Sequence, residues 1–346
     1  MEMKRTLSAL LALLAGVTVF ADAPFDAKAE DAVTEIRIVE AGGASGDSIE
    51  KGYITPFTQK TGVKVVRESP NGIGKLQAMV ASGNISAVLL ELVGTEVQQA
   101  KALKLLEPLD WDAIAPLPMF PESRDDYALG YQYYSTIMTW RKDAKAPANW
   151  ADFWNVKDFP GKRSLPDIAF YAIPIALLAD GVKPDQLYPL DLDRAFKSLK
   201  KLSPDVAVWW ATGAQPPQLL NDNEVQYAVA WSGRVTAEPM LDYSFNQGLI
   251  DTSFFTVPRG ANPAQKAAAM KLLHEMTVPE NQAVAASVIS YTGNSPDLDA
   301  LLPKDRIGQF PTAKQNKDVQ VGYDLKWWFD HGKEVEERWL NFKLGL

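Results

Sequence analysis

The sequence predicts an α/β protein of two lobes, each a mostly parallel sheet flanked by helices, with a cleft between them. Three observations lead there. Strand-like and helix-like segments alternate from Thr34 to Leu103, which demands crossover helices and parallel strands. The alternation resumes after a proline-rich region, Pro108 to Pro121, by way of the long strand-like run Tyr127–Arg141. And 346 residues exceed one ordinary domain.

The elements come in order along the chain. Thr34–Glu40 alternates polar and apolar and reads as a strand. A glycine-rich turn, Gly42–Gly46, comes next, with Asp47 or Ser48 placed to cap the helix after it. That helix ends near Thr61-Gly62, and Val63–Arg67 is the second strand. Gly74–Ala81 is a helix closed by Gly83, Ala87–Leu92 a buried strand, and Glu96–Leu103 a helix. In the second half, Asp191–Leu202 is an amphipathic helix, Gln226–Trp231 and Ser253–Val257 are buried strands, and Pro263–Thr277 is a helix. Ligands of open α/β sheets lie beyond the strand C-termini, so the turns after strands are the places to search.

Composition narrows the function. With 43 acidic and 35 basic side chains the net charge is −8, and no basic cluster exists to hold phosphates, which argues against nucleic acid. The absence of cysteine excludes disulfides, thiolate metal sites and a lipid-modified cysteine. Two histidines, His274 and His331, leave little for imidazole catalysis or metal binding. At the start, Lys4 and Arg5 precede an apolar run, Thr6–Ala21, and small-residue exits lie between 21 and 29. This pattern predicts a signal peptide within residues 1–29, export, and a periplasmic location.

Several segments carry a resemblance. Asn149–Trp154 followed by Phe159–Arg163, Ala230–Arg234, Phe254–Pro258 with Asn262–Leu273, Ser290–Pro296, and Phe57–Val65 resemble stretches of bacterial extracellular solute-binding proteins of ABC importers. They are most similar to the spermidine/putrescine-binding branch. The resemblance implies a type II Venus-flytrap fold, capture of a small-molecule solute without catalysis or cofactor, a membrane permease as partner, and a monomer. It divides the chain into lobe 1 (30–132 plus 259–305) and lobe 2 (133–258 plus 306–346).

The polyamine branch holds ammonium groups with carboxylates, and here the correspondence breaks. Its tryptophan is kept as Trp231, its return-strand acid becomes Ser253 with Asp251 two residues earlier, and an expected glutamate becomes Tyr171. The neighbouring acid survives as Asp167, and the hydroxyl–tyrosine pair after the third strand falls near Glu91 and Val93. A polyamine is therefore the alternative ligand. The Trp209-Trp210-Ala211-Thr212-Gly213-Ala214-Gln215 stretch opens a helix whose free amides at Thr212 and Gly213 favour an anion. Ser232-Gly233-Arg234 adds a guanidinium, which takes a carboxylate in a two-pronged pair. A branch with the same W-x-T-G-A-Q and A-W-x-G-R patterns resembles this chain best, and in it the arginine receives a carboxylate.

The predicted ligand is thus a small carboxylate, an amino acid or an organic or aromatic acid, held by Arg234 between the indoles of Trp231 and Trp209 or Trp210. Ser45 at the first turn, Tyr133 on the crossover run and Asp251 complete the candidate set, and Asp251 in the cleft implies a ligand amine. Each residue also has a structural reading, as salt-bridge partner, core packing or helix cap. Three other functions compete: a periplasmic hydrolase with paired carboxylates, though G-x-S-x-G is absent; a ferric-ion binder; and a ligand-loaded partner of a chemoreceptor.

Overall fold

The computed structural model describes residues 33–345. The expected signal peptide lies outside the described residues. Ten strands form one mixed sheet: β1 (Glu35–Val39), β2 (Lys64–Glu68), β3 (Leu89–Val93), β4 (Leu106–Glu107), β5 (Arg124–Asp125), β6 (Ala128–Arg141), β7 (Arg163–Pro166), β8 (Val206–Trp210), β9 (Tyr227–Trp231) and β10 (Leu241–Pro258). Their order is β2-β1-β3-β10-β6-β9-β7-β8, with β4 on β10 and β5 on β6. One parallel triplet, β2-β1-β3, and another, β9-β7-β8, are joined through antiparallel β10 and β6. This is the architecture of type II periplasmic binding proteins.

Local chemistry fixes the boundaries. Asp191 caps the helix Leu192–Leu202 by accepting the Arg194 amide at 3.0 Å. Gly62 and Gly83 end their helices in the left-handed region, with φ of 74° and 68°, as a residue lacking Cβ permits. Buried apolar runs make the parallel strands, since helices cover both faces. One core gathers Ile36, Phe57, Leu89, Tyr131 and Phe255, and another gathers Trp150, Phe153, Leu165, Leu199 and Tyr227.

Two expectations change. The predicted strand Ser253–Val257 is only the end of the 18-residue β10, whose earlier part carries Asp242, Ser244, Asn246, Gln247 and Gly248 and so hides its alternation. A register shift between Ser244 and Leu249 marks the irregular stretch. The glycine-rich segment is a turn only at Gly42, because the helix already begins at Gly43 and continues through Glu50–Ile54 to Thr61. Gly46 lies in that helix for lack of space: a Cβ there would strike the Arg67 and Glu40 side chains.

The two crossing strands bring distant parts of the chain together. Asp251 of β10 is the register partner of Tyr134 of β6. Tyr133 exchanges two backbone hydrogen bonds with Thr292, 2.7 and 3.1 Å, which brings the segment Ser290–Ser295 against β6. The last helix, Leu325–Leu344, starts with Leu325 against Gly94 and buries Trp328, Val335 and Trp339 in the second core.

Candidate functional site

A cavity of about 330 Å³ opens where β3, β6, β9 and β10 and the turn after β1 converge. Five of the predicted residues line it: Ser45, Tyr171, Trp231, Arg234 and Ser253. Ala41, Gly42, Asn71, Glu91, Val93, Gln132, Tyr134 and Tyr291 complete the wall. Arg234 sits after β9 in a short helix and lies beside the Tyr291 phenol, which burial pushes up to about 12 and the guanidinium holds back. Gly233 permits that approach, because a Cβ there would meet the Tyr291 ring. The Arg234 Nε is buried and has no hydrogen-bond partner, and no carboxylate of the described residues pairs with the guanidinium. A buried donor left so costs about 1–3 kcal/mol, more when charged, unless a ligand satisfies it.

Trp231 ends β9 and stands edge-on to Trp210, Tyr134 and Tyr171 at 5.3, 6.4 and 6.0 Å between ring centroids. Its buried indole N–H is also without a partner. Ser45 is held by its hydroxyl, which donates to Gln132 at 2.7 Å, while the Gln132 amide donates to Ser48 at 3.1 Å. That chain ties the first helix start to β6.

Glu91 is the acid of the cavity wall. It is buried and accepts the Ala41 amide at 2.7 Å, the Tyr131 phenol at 3.0 Å and the Ser253 hydroxyl. Burial pushes its carboxyl up to about 7, those three donors opposing the shift. Asp251 is buried too, accepting Tyr134 Oη on Oδ2 at 2.8 Å and the Thr252 amide on Oδ1 at 2.8 Å. Burial raises it to about 6. Neither acid has an ion-pair partner among the described residues. Asp251 faces an outer chamber of about 700 Å³ that shares Val93, Tyr171 and Trp231 with the Arg234 cavity and is otherwise lined by Thr95, Glu96, Gln99, Phe170 and the last helix.

Six predicted residues lie elsewhere. Trp209 packs against Trp339 and Phe342 with Lys343 over its ring, in the second core. Trp210 is fully buried behind Trp231 and donates to the Val229 carbonyl at 2.8 Å. The expected anion-binding helix start is occupied from within: Gln215 Oε1 accepts the amides of Ala211 and Thr212 at 2.8 and 3.0 Å. Gly213 instead lets Trp231 lie against the backbone, since a Cβ would overlap the indole. Asp167 is taken by Trp339 Nε1 at 3.1 Å and Lys343 at 3.3 Å. Tyr133 bonds Ser123 at 2.6 Å and faces a separate rear cavity of about 360 Å³, which Asp251 also touches.

The histidines stand apart from the cavity. His274 Nδ1 meets the carbonyls of Ile114 and Ala115, and His331 stacks on Trp327. Sequence reasoning missed Gln132 and passed over Glu91 as a misfit. A signal was present for Glu91, a lone acid in the apolar run Leu89-Leu90-Glu91-Leu92-Val93.

Known proteins share this chain's pattern. A family model described as bacterial extracellular solute-binding protein matches residues 52–314. The chain belongs to that family. It is 34% identical over 327 residues to the gamma-aminobutyric acid-binding protein of Pseudomonas aeruginosa, covering 91% of this chain and 92% of that one. A solved structure of a GABA receptor superposes with a TM-score of 0.82 at 33% identity, over 89% of this chain and 97% of that one. The spermidine/putrescine-binding periplasmic protein of Escherichia coli is more distant, 23% identical over 73% of this chain and 76% of its own length. The protein is a solute-binding component of the ABC-importer type.

Proposed function

We propose that the protein captures a small ω-amino acid of the γ-aminobutyric acid class in the cleft, and hands it to an inner-membrane permease from the periplasm. Arg234 receives the carboxylate, Asp251 the ammonium, and Trp231 and Tyr134 form the apolar wall between them. The single observation that carries the reading is a half-buried guanidinium, its Nε buried and unbonded, and a buried carboxylate around Trp231, neither in an ion pair among the described residues. A zwitterion neutralises both, and charge-assisted hydrogen bonds are roughly twice as strong as neutral ones. A diamine, by contrast, leaves the half-buried Arg234 with no counter-ion.

Two relatives named for the same ligand class support the reading. The relatives are binding proteins, in keeping with a carrier that does no chemistry and acts as a monomer. The proposed lobes, 30–132 plus 259–305 and 133–258 plus 306–346, find support in the two largest cores, each drawn almost wholly from one of them. Hinge closure about β6 and β10 is then the binding motion.

Isothermal titration of the mature protein with γ-aminobutyrate, 5-aminovalerate, glutamate, benzoate and putrescine tests this. The ω-amino acids bind, and Arg234→Ala weakens them by about a hundredfold, about 2.7 kcal/mol. Binding of putrescine alone, or an Arg234→Ala protein with unaltered affinity, overturns it.

A further inference from the structure

Once an ω-amino acid has matched Arg234 and Asp251, one charge on the wall of the Arg234 cavity is unanswered. Glu91 is 2% exposed, lines the cavity that holds Arg234, and has no cationic partner among the described residues. Arg67 of β2, the register partner of Ile38 on the neighbouring strand β1, is taken: its Nε bonds Glu40 at 3.1 Å, and Asp47 and Glu50 lie at 3.7 and 3.6 Å. The three groups that hydrogen-bond Glu91 are all donors, the Ala41 amide, the Tyr131 phenol and the Ser253 hydroxyl, while the charge of Glu40 raises its carboxyl. That is an arrangement for an anion, because an ionised carboxylate only accepts, and a carboxylate with about four acceptor sites keeps capacity beyond these three bonds on a residue that lines the cavity. A buried carboxylate is costly without a cation. There is also room: the Arg234 cavity and the outer chamber, about 330 and 700 Å³, share a wall and together far exceed what a four-carbon amino acid fills.

Resting on the reading of Arg234 and Asp251 above, we propose that Glu91 is a second ammonium subsite, and that the preferred solute is a diamino carboxylate rather than a simple ω-amino acid. Its carboxylate lies on Arg234, one amine on Asp251 and the other on Glu91. Arg234, Asp251 and Glu91 are then all paired, and the Ser253 hydroxyl, two residues along β10 from Asp251, bonds Glu91. Glu40 is not such a subsite, since Arg67 already neutralises it.

The test is titration calorimetry on the mature protein with γ-aminobutyrate, 2,4-diaminobutyrate, ornithine and lysine, using wild type, Glu91→Gln and Arg234→Ala. At least one diamino acid binds wild type tenfold or more tighter than γ-aminobutyrate. Glu91→Gln removes that preference, costing the diamino acid tenfold or more while γ-aminobutyrate stays within threefold. Wild type that prefers γ-aminobutyrate to every diamino acid overturns the inference without the need of any variant. So does a Glu91→Gln protein that loses both classes equally, which marks Glu91 as a support for the Ala41 turn. If Arg234→Ala leaves every carboxylate unaffected, the underlying reading fails instead, and the two failures are told apart.

Discussion

Glu91 and Asp251 are the residues that the protein holds at a cost. Both carboxyls are raised by burial, from 4.5 to about 7 and from 3.8 to about 6. The folded protein therefore binds more protons than the unfolded chain between about pH 4 and 7, and stability falls as pH rises through that window. The ligand-free protein is less stable at pH 8 than at pH 5, by on the order of a few kcal/mol from these two groups, and melts at a lower temperature there. Glu91→Gln and Asp251→Asn each flatten the slope and raise the pH 8 melting temperature, as differential scanning calorimetry would record. Solute binding runs the other way. An ammonium needs the ionised acids, so affinity strengthens from pH 5 to 7, and a flat titration series would count against either acid as an anchor. At the same scale Gly213→Ala forces Trp231 off the backbone on which it rests. That variant loses stability, on the order of 1–3 kcal/mol by the usual cost of overpacking, together with affinity for the solute.

Elements were legible where local signals agreed. The helix Leu192–Leu202 shows its apolar face and its capping Asp191 in the sequence, and Asp191→Ala costs about 0.5–2 kcal/mol, measured by urea unfolding. The parallel strands β3 and β9 announce themselves as apolar runs, and β1 by its alternation. What stayed hidden depends on contacts distant in the chain. Gln215 lies close enough to cap Ala211 and Thr212, yet whether it folds back on them or points outward is a matter of side-chain geometry. The choice between Trp209 and Trp210 comes from strand alternation only once the last helix is known to cover the Trp209 face. Glu91 could be seen as an acid in a buried strand, but nothing local says that Arg67 is already spent on Glu40.

On the scale of the whole molecule, the alternation of strands and helices carried the architecture, while the family came from short motifs such as Asn149–Trp154 and Ala230–Arg234 that resemble those of known solute-binding proteins. The extent of β10 did not come through, since its polar first half is paired with β6 rather than written in its own pattern. Saturation with solute at a hundred times Kd stabilises the protein by about 2.7 kcal/mol, which a thermal-shift assay reads directly. Trp231 lines the cavity and Trp328 the outer chamber, so binding alters the intrinsic fluorescence, and Trp231→Phe removes most of that change.

Asp251 and Tyr134 are register partners on β10 and β6, the two strands that join the parallel triplets. A solute that grips there pushes close to the fulcrum rather than at the rim. Under the hinge closure proposed above, a small shift beside Tyr134 becomes a larger arc at the distant helices, so a solute longer by one methylene closes the protein to a different angle, which small-angle scattering would read.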